Sequence, residues 1–170
     1  ADAAVQANQL AGSAAAVASG EVFAALGTDT GGSIRHPSSF CNTVGVKPTY
    51  GRVSRFGAIA YGSSLDQIGP ITRTVKDAAL LLEIIAGQDV HDATSSPVPA
   101  EPYTKSCGRE IKGLKIGVPK EHFNEGVDSG VQETVRRAIN QLESLGAEIS
   151  ELSLPLNSVS IPTYYLLAKA

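Results

Sequence analysis

Residues 114–154 carry the pattern that most restricts the fold. Leu114-Lys115-Ile116-Gly117-Val118 reads as a strand. Val131, Val135, Ala138, Ile139, Leu142 and Leu145 then recur at helical spacing up to Gly146, and Ala147 to Leu154 alternates as a second strand. Strand, helix and strand in that order make a βαβ unit, with parallel strands and a right-handed crossover. The expected fold class is therefore α/β, a mixed and largely parallel sheet flanked by helices. Lys120, Glu121 and His122 follow the first of these strands, where sheets of this class often bind ligands. A solvated loop is the safer reading of the three.

Upstream, the apolar run Val22-Phe23-Ala24-Ala25-Leu26 is short and bounded by glycines, so it reads as a buried strand. It leads into Gly27-Thr28-Asp29-Thr30-Gly31-Gly32-Ser33-Ile34-Arg35. Without Cβ atoms, Gly31 and Gly32 allow positive φ and close approach of another molecule. Successive backbone N–H groups beside the Ser33 hydroxyl would form an anion-binding nest of the kind that holds an oxyanion. The same residue types also collect in polar turns for conformational reasons alone.

Around this stretch the chain is punctuated plainly. The Ala-rich residues 1 to 20, including "GSAAAVASG", read as a closely packed helix capped at Gly20. Ile34 to Cys41 reads as a short helical turn, and Arg35 as the partner of a carboxylate that steadies the loop or as a substrate contact. Thr43 to Ile71 holds strands and loops. Within it, Asp66 reads as a carboxylate that organises a loop by accepting backbone N–H bonds. Thr74 with Asp77, followed by Ala78, Leu81, Leu82 and Ile85 and then Gly87, marks a capped amphipathic helix. Residues 88 to 112 carry Pro97, Pro99 and Pro102 and read as a long surface loop, with His91 solvated. Ile161 to Ala170 reads as the start of a further helix.

The chain has 170 residues, a net charge of −3, two cysteines and no methionine. That length suits one domain with a core, and the absence of methionine marks these residues as a segment or processed product. The charge excludes an extended nucleic-acid surface, which needs clustered Lys and Arg. No stretch is long and apolar enough for a membrane span, and no signal peptide is visible, so a cytoplasmic protein is expected. Cys41 and Cys107 read as free thiols, with neither metal-ligand nor disulfide-framework spacing. The three histidines, 36, 91 and 122, show no motif linking them to Ser33, and near neighbours such as Ser33 and His36 rarely converge. The GxSxG elbow is also missing.

The run "GTDTGGSIRHPSSFCNTVGVKPTYGRVSRFGAIAYGSSLDQIGPITRT" resembles the amidase signature family. Its tail, "GRVSRFG" and "SSLDQIGP", is most similar to the branch formed by the A subunits of tRNA-dependent amidotransferases. The resemblance runs from about Gly12 to the end of the chain and implies part of an amidase core. Residues 1–87 would bear the nucleophile, 88–112 a surface loop, and 113–170 the βαβ unit and the start of a further helix.

By this resemblance Ser33 is the acyl-forming nucleophile, and Thr30, Gly31, Gly32 and Ser33 supply the backbone of the oxyanion hole. The family activates its nucleophile through a cis serine and a lysine. In register, that serine falls at Gln9, beside Leu10, so Ala7-Asn8-Gln9-Leu10-Ala11 offers no relay hydroxyl. The family's lysine lies upstream of the nucleophile and is not found here. The implied activity is release of ammonia from glutamine or another small amide, and these residues alone are expected to be inactive.

The implied partners are amidotransferase subunits B and C, with charged tRNA held mainly by the partner, and with ATP and magnesium at the partner subunit. No cofactor and no metal is expected in these residues, and a mitochondrial or plastid setting stays open. Two alternatives also stay open: a stand-alone amidase, and an incomplete piece that only binds.

Overall fold

The computed structural model describes residues 12–124 and 126–168, in two compact units. The first unit runs to Cys107 and includes Leu167 and Ala168; the second covers Gly108–Leu166.

In the first unit, residues 12–19 are helical (α1) and lead through a turn into β1, Ala24–Asp29. The strand begins two residues later than hydropathy suggests and runs on to Asp29. The reason is which side chains alternate inward. Gly27 and Asp29 are buried, while Ala24, Leu26 and Thr28 face outward and Phe23 is 90% exposed. The expected buried strand is thus buried on one face, and that face ends in a carboxylate.

Helix α2, Arg35–Phe40, follows directly, then β2, Val44–Gly45, and β3, Gln67–Thr72. The sheet order is β1-β3-β2 with both pairings antiparallel, and the β1–β3 register runs from Ala24 opposite Thr72 to Asp29 opposite Gln67. A largely parallel sheet is therefore not what surrounds Ser33. No long helix intervenes between these strands, so the chain simply folds back on itself.

Strand β3 is central and almost wholly buried. Ala14 and Val17 of α1 pack with Ile34 and Ile71 as the core, with Ala25 and Cys41 against them. Gly69 permits the close approach of the chain at Val46, since a Cβ there would overlap the Val46 carbonyl oxygen.

Helix α3 spans Val75–Ile85. Thr74 is its N-cap, with Oγ1 accepting the Asp77 N–H at 3.1 Å, and Ala78 and Leu82 are buried. Ala86 is the C-cap, and Gly87 follows at φ +147°, one residue beyond the cap position expected for it.

Residues after α3 are tied down rather than looping free. Asp89 Oδ2 accepts the Ser54 hydroxyl at 2.6 Å, Asp92 Oδ2 accepts the Arg55 N–H at 2.8 Å, and Ser96 N–H donates to the Gly51 carbonyl. Ser95 is buried among them. Glu83 accepts both the N–H and the hydroxyl of Thr104, fixing the 3₁₀ turn Tyr103–Ser106. His91 is exposed and its ring packs on Phe56 at 4.9 Å. Both cysteines are free thiols.

The second unit contains β4, Lys115–Pro119, α4, Ser129–Ser144, and β5, Glu148–Leu152. The two strands pair in parallel, as the strand–helix–strand pattern requires. Asp128 starts α4 two residues before its first periodic apolar side chain by accepting the N–H groups of Gly130 and Val131. Gly117 lies under the Leu152 side chain, whose tip would have to move aside for a Cβ. Glu121, in the 3₁₀ turn after β4, accepts the Ser153 hydroxyl and the Leu154 N–H. These bonds hold its carboxyl below its ordinary value, the Ser153 hydroxyl contributing most. Glu121 therefore fastens the end of β5, and His122 is exposed. Helix α5, Asn157–Leu167, starts four residues before the expected helix and contains Pro162. Among the described residues, no helix is long and apolar enough to cross a membrane.

Candidate active site

Ser33 sits between the end of β1 and the start of α2, partly exposed. Its position is set by Asp29, the last residue of β1, whose side chain is fully buried. Asp29 Oδ1 accepts the Gly32 N–H at 2.7 Å, and Oδ2 accepts the N–H groups of Ile34 and Arg35 at 3.2 and 3.3 Å. Helix α2 has no side-chain cap at its N-cap residue, Ile34. Asp29 satisfies its first amides from outside, across the serine turn.

The Arg35 guanidinium completes the arrangement, with Nε and Nη2 each 3.0 Å from the Asp29 carboxylate. This is the carboxylate partner expected for Arg35. Burial pushes the Asp29 carboxyl up, but the Arg35 hydrogen bond and charge and the Gly32 and Ile34 amides outweigh it, so Asp29 ionises below its ordinary value. Hydrogen bonding to Asp29 raises Arg35 above its own.

Gly32 is needed for its backbone conformation, and the exposed His36 side chain also rests on it. Its φ is +130°, which side chains rarely adopt, and the His36 ring lies against it, 2.9 to 3.1 Å from where a Cβ would stand. His36 donates its backbone N–H to the Gly32 carbonyl at 2.7 Å. Among the described residues, no hydrogen bond joins His36 to the Ser33 hydroxyl.

The Gly32 N–H, expected in the oxyanion hole, is directed into Asp29 instead, because the buried carboxylate must be satisfied. Thr30, Gly31 and Ser33 are the remaining amides of the turn, and Gly31 is exposed.

On the other side of the turn stands Asp66, 8% exposed. It accepts the Thr30 hydroxyl and the backbone N–H groups of Tyr61 and Gly62, the loop-organising role expected of it. Thr30, Asp66, Gln67 and Tyr61 line a small cavity beside the turn. The missed residue is Asp29. Its only sequence signal is an acid three residues before a glycine and six before an arginine, which hydropathy does not register.

Among the described residues, no group of His, Cys, Asp and Glu is arranged to hold a metal ion. The relay position at Gln9 lies outside the described residues.

Residues 11–170 match the family profile described as Amidase. The A subunit of glutamyl-tRNA(Gln) amidotransferase from Thermodesulfovibrio yellowstonii is 59% identical over 157 residues, covering 92% of this chain and 32% of the relative. That of Staphylococcus epidermidis is 58% identical over 159 residues, covering 94% and 33%. The chain thus spans about a third of the length of these relatives. The crystal structure of the corresponding A subunit from Thermotoga maritima superposes with a TM-score of 0.88 at 49% identity, covering 93% of this chain and 35% of that one. A peptide amidase in complex with the inhibitor chymostatin superposes at 0.82 with 34% identity, covering 92% and 33%.

Proposed function

The chain belongs to the amidase family, and from that premise we propose that it is the nucleophile-bearing third of a glutamine amidase, the ammonia-producing A subunit of a tRNA-dependent amidotransferase. The observation that carries this reading is the placement of Ser33 at a strand-to-helix turn whose amides are fixed by a buried carboxylate.

In this reading the Ser33 oxygen adds to the carboxamide carbon of glutamine, and its proton passes to a base supplied outside the described residues. The N–H groups of Thr30, Gly31 and Ser33 receive the oxyanion. The C–N bond then breaks as the base returns that proton to the nitrogen, ammonia leaves, and water hydrolyses the glutamyl ester at Ser33 to glutamate and the free serine. Gly32 contributes its conformation, and Asp29 and Arg35 keep the turn in shape.

The partners in this proposal are subunits B and C. Charged tRNA, ATP and magnesium are engaged by the partner, which would use the ammonia to convert Glu-tRNA(Gln) to Gln-tRNA(Gln). The surroundings would be cytoplasmic.

Ammonia release from glutamine by the full-length chain carrying these residues, with Ser33→Ala alongside, tests the reading. Release that disappears in the variant supports it; equal release in both overturns it.

A further inference from the structure

The backbone ladder between β1 and β3 ends at Asp29 opposite Gln67. The next position in the same antiparallel register is Thr30 opposite Asp66, and there the pairing is continued by side chains. Thr30 Oγ1 donates to Asp66 Oδ1 at 2.5 Å.

Asp66 is itself held. Tyr61 N–H donates to Oδ2 at 2.9 Å, Gly62 N–H lies 3.1 Å from both oxygens, and the N–H groups of Leu65 and Asp66 return to the Gly62 carbonyl at 2.8 and 2.9 Å. Residues 61–66 are therefore a closed strap around one carboxylate. The strap is pressed onto the serine turn, for a Cβ at Gly62 would stand 3.1 Å from the Thr30 methyl.

The turn consequently has two anchors. Asp29 fixes it from Gly32 onward, and Asp66 fixes it at Thr30. Gly31 is exposed and lies between them, and among the described residues its N–H meets no acceptor, so its aim follows from the peptide that joins it to Thr30.

The geometry points to Asp66 as a positioning residue for the Ser33 reaction: through the Thr30 hydroxyl it sets the direction of the Gly31 amide toward the developing oxyanion. This rests on the amidase reading above. An amide aimed at charge that appears only in the transition state affects turnover and leaves ground-state binding almost untouched.

The test uses the full-length chain, with Thr30→Val, Thr30→Ser, Asp66→Asn and the Thr30→Val/Asp66→Asn pair. Thr30→Val and Asp66→Asn are each expected to lower kcat for glutamine by about 10- to 100-fold, since misplacing a catalytic group by about 1 Å costs on that order. KM should stay within about twofold, Thr30→Ser should restore most of kcat, and the double variant should be no worse than the poorer single one, because both changes cut one link. Wild-type kcat in Thr30→Val, or multiplying losses in the pair, overturns the assignment.

Backbone ¹⁵N relaxation at Gly31 tests the link separately, even should wild-type protein hydrolyse no glutamine and the amidase reading fail. A lower order parameter at Gly31 in both single variants, restored in Thr30→Ser, supports the link. An unchanged order parameter at Gly31 in Thr30→Val refutes it.

Discussion

Arg35 grips both oxygens of Asp29, Nε and Nη2 each at 3.0 Å, yet the two partners stand in different surroundings: the Asp29 side chain is fully buried and that of Arg35 is 51% exposed. Removing them should therefore cost unequally. Asp29→Ala strips the partner from three amides and a guanidinium and is expected to destabilise by about 3 kcal/mol. Arg35→Ala leaves Asp29 its three amides and should cost about 1 kcal/mol. Urea denaturation measures both, and equal losses would contradict the asymmetry.

The same carboxylate fixes a pH dependence. Burial alone would raise the pKa of Asp29, but Arg35 and the turn amides bring it below the ordinary value of about 3.9. A carboxyl depressed on folding contributes stability above its unfolded pKa and loses it as pH falls through the folded one. The stability gap between wild type and Asp29→Asn should thus hold from pH 8 to about 5 and narrow below about 4. Denaturation midpoints at pH 7, 4 and 3 check this; a gap unchanged at pH 3 would contradict it.

Gly69→Ala should be among the most damaging single methyl additions. The new Cβ would overlap the Val46 carbonyl oxygen, backbone against strand, where neither side can give way cheaply. A loss of about 3 kcal/mol or more is expected, the upper end for overpacking. Near-wild-type thermal stability of this variant would contradict the close approach of Val46 to Gly69.

Thr74→Ala should cost about 1 kcal/mol, the usual worth of an N-cap, and Thr74→Ser should retain most of it. The reason is the Thr74 oxygen on the Asp77 N–H. Thermal melts of the two variants test the pair, and equal effects would mean that the hydroxyl does not cap α3.

Much of this was legible because the signals are local. Thr74 and Asp77 lie within one helical turn, and residues 114–154 alternate and recur plainly enough to require parallel strands. The edges of β1 were less legible, since its buried face ends in Asp29, and a charged side chain facing inward runs against hydropathy until its partners are known. The sheet order was not legible either, because β1 and β3 are distant in the chain and nothing local states their direction. The Thr30–Asp66 link spans 36 residues, and each side chain alone reads as an ordinary turn residue. Ser33 stood out through its glycines, but what holds it did not.

The most direct measurement is the mass of the Ser33-bearing peptide after the full-length chain is mixed with glutamine and quenched in acid during turnover. The amidase account predicts a glutamyl ester on Ser33 that is absent in Ser33→Ala. Ammonia release proceeding with Ser33 unmodified, or undiminished in Ser33→Ala, would contradict it.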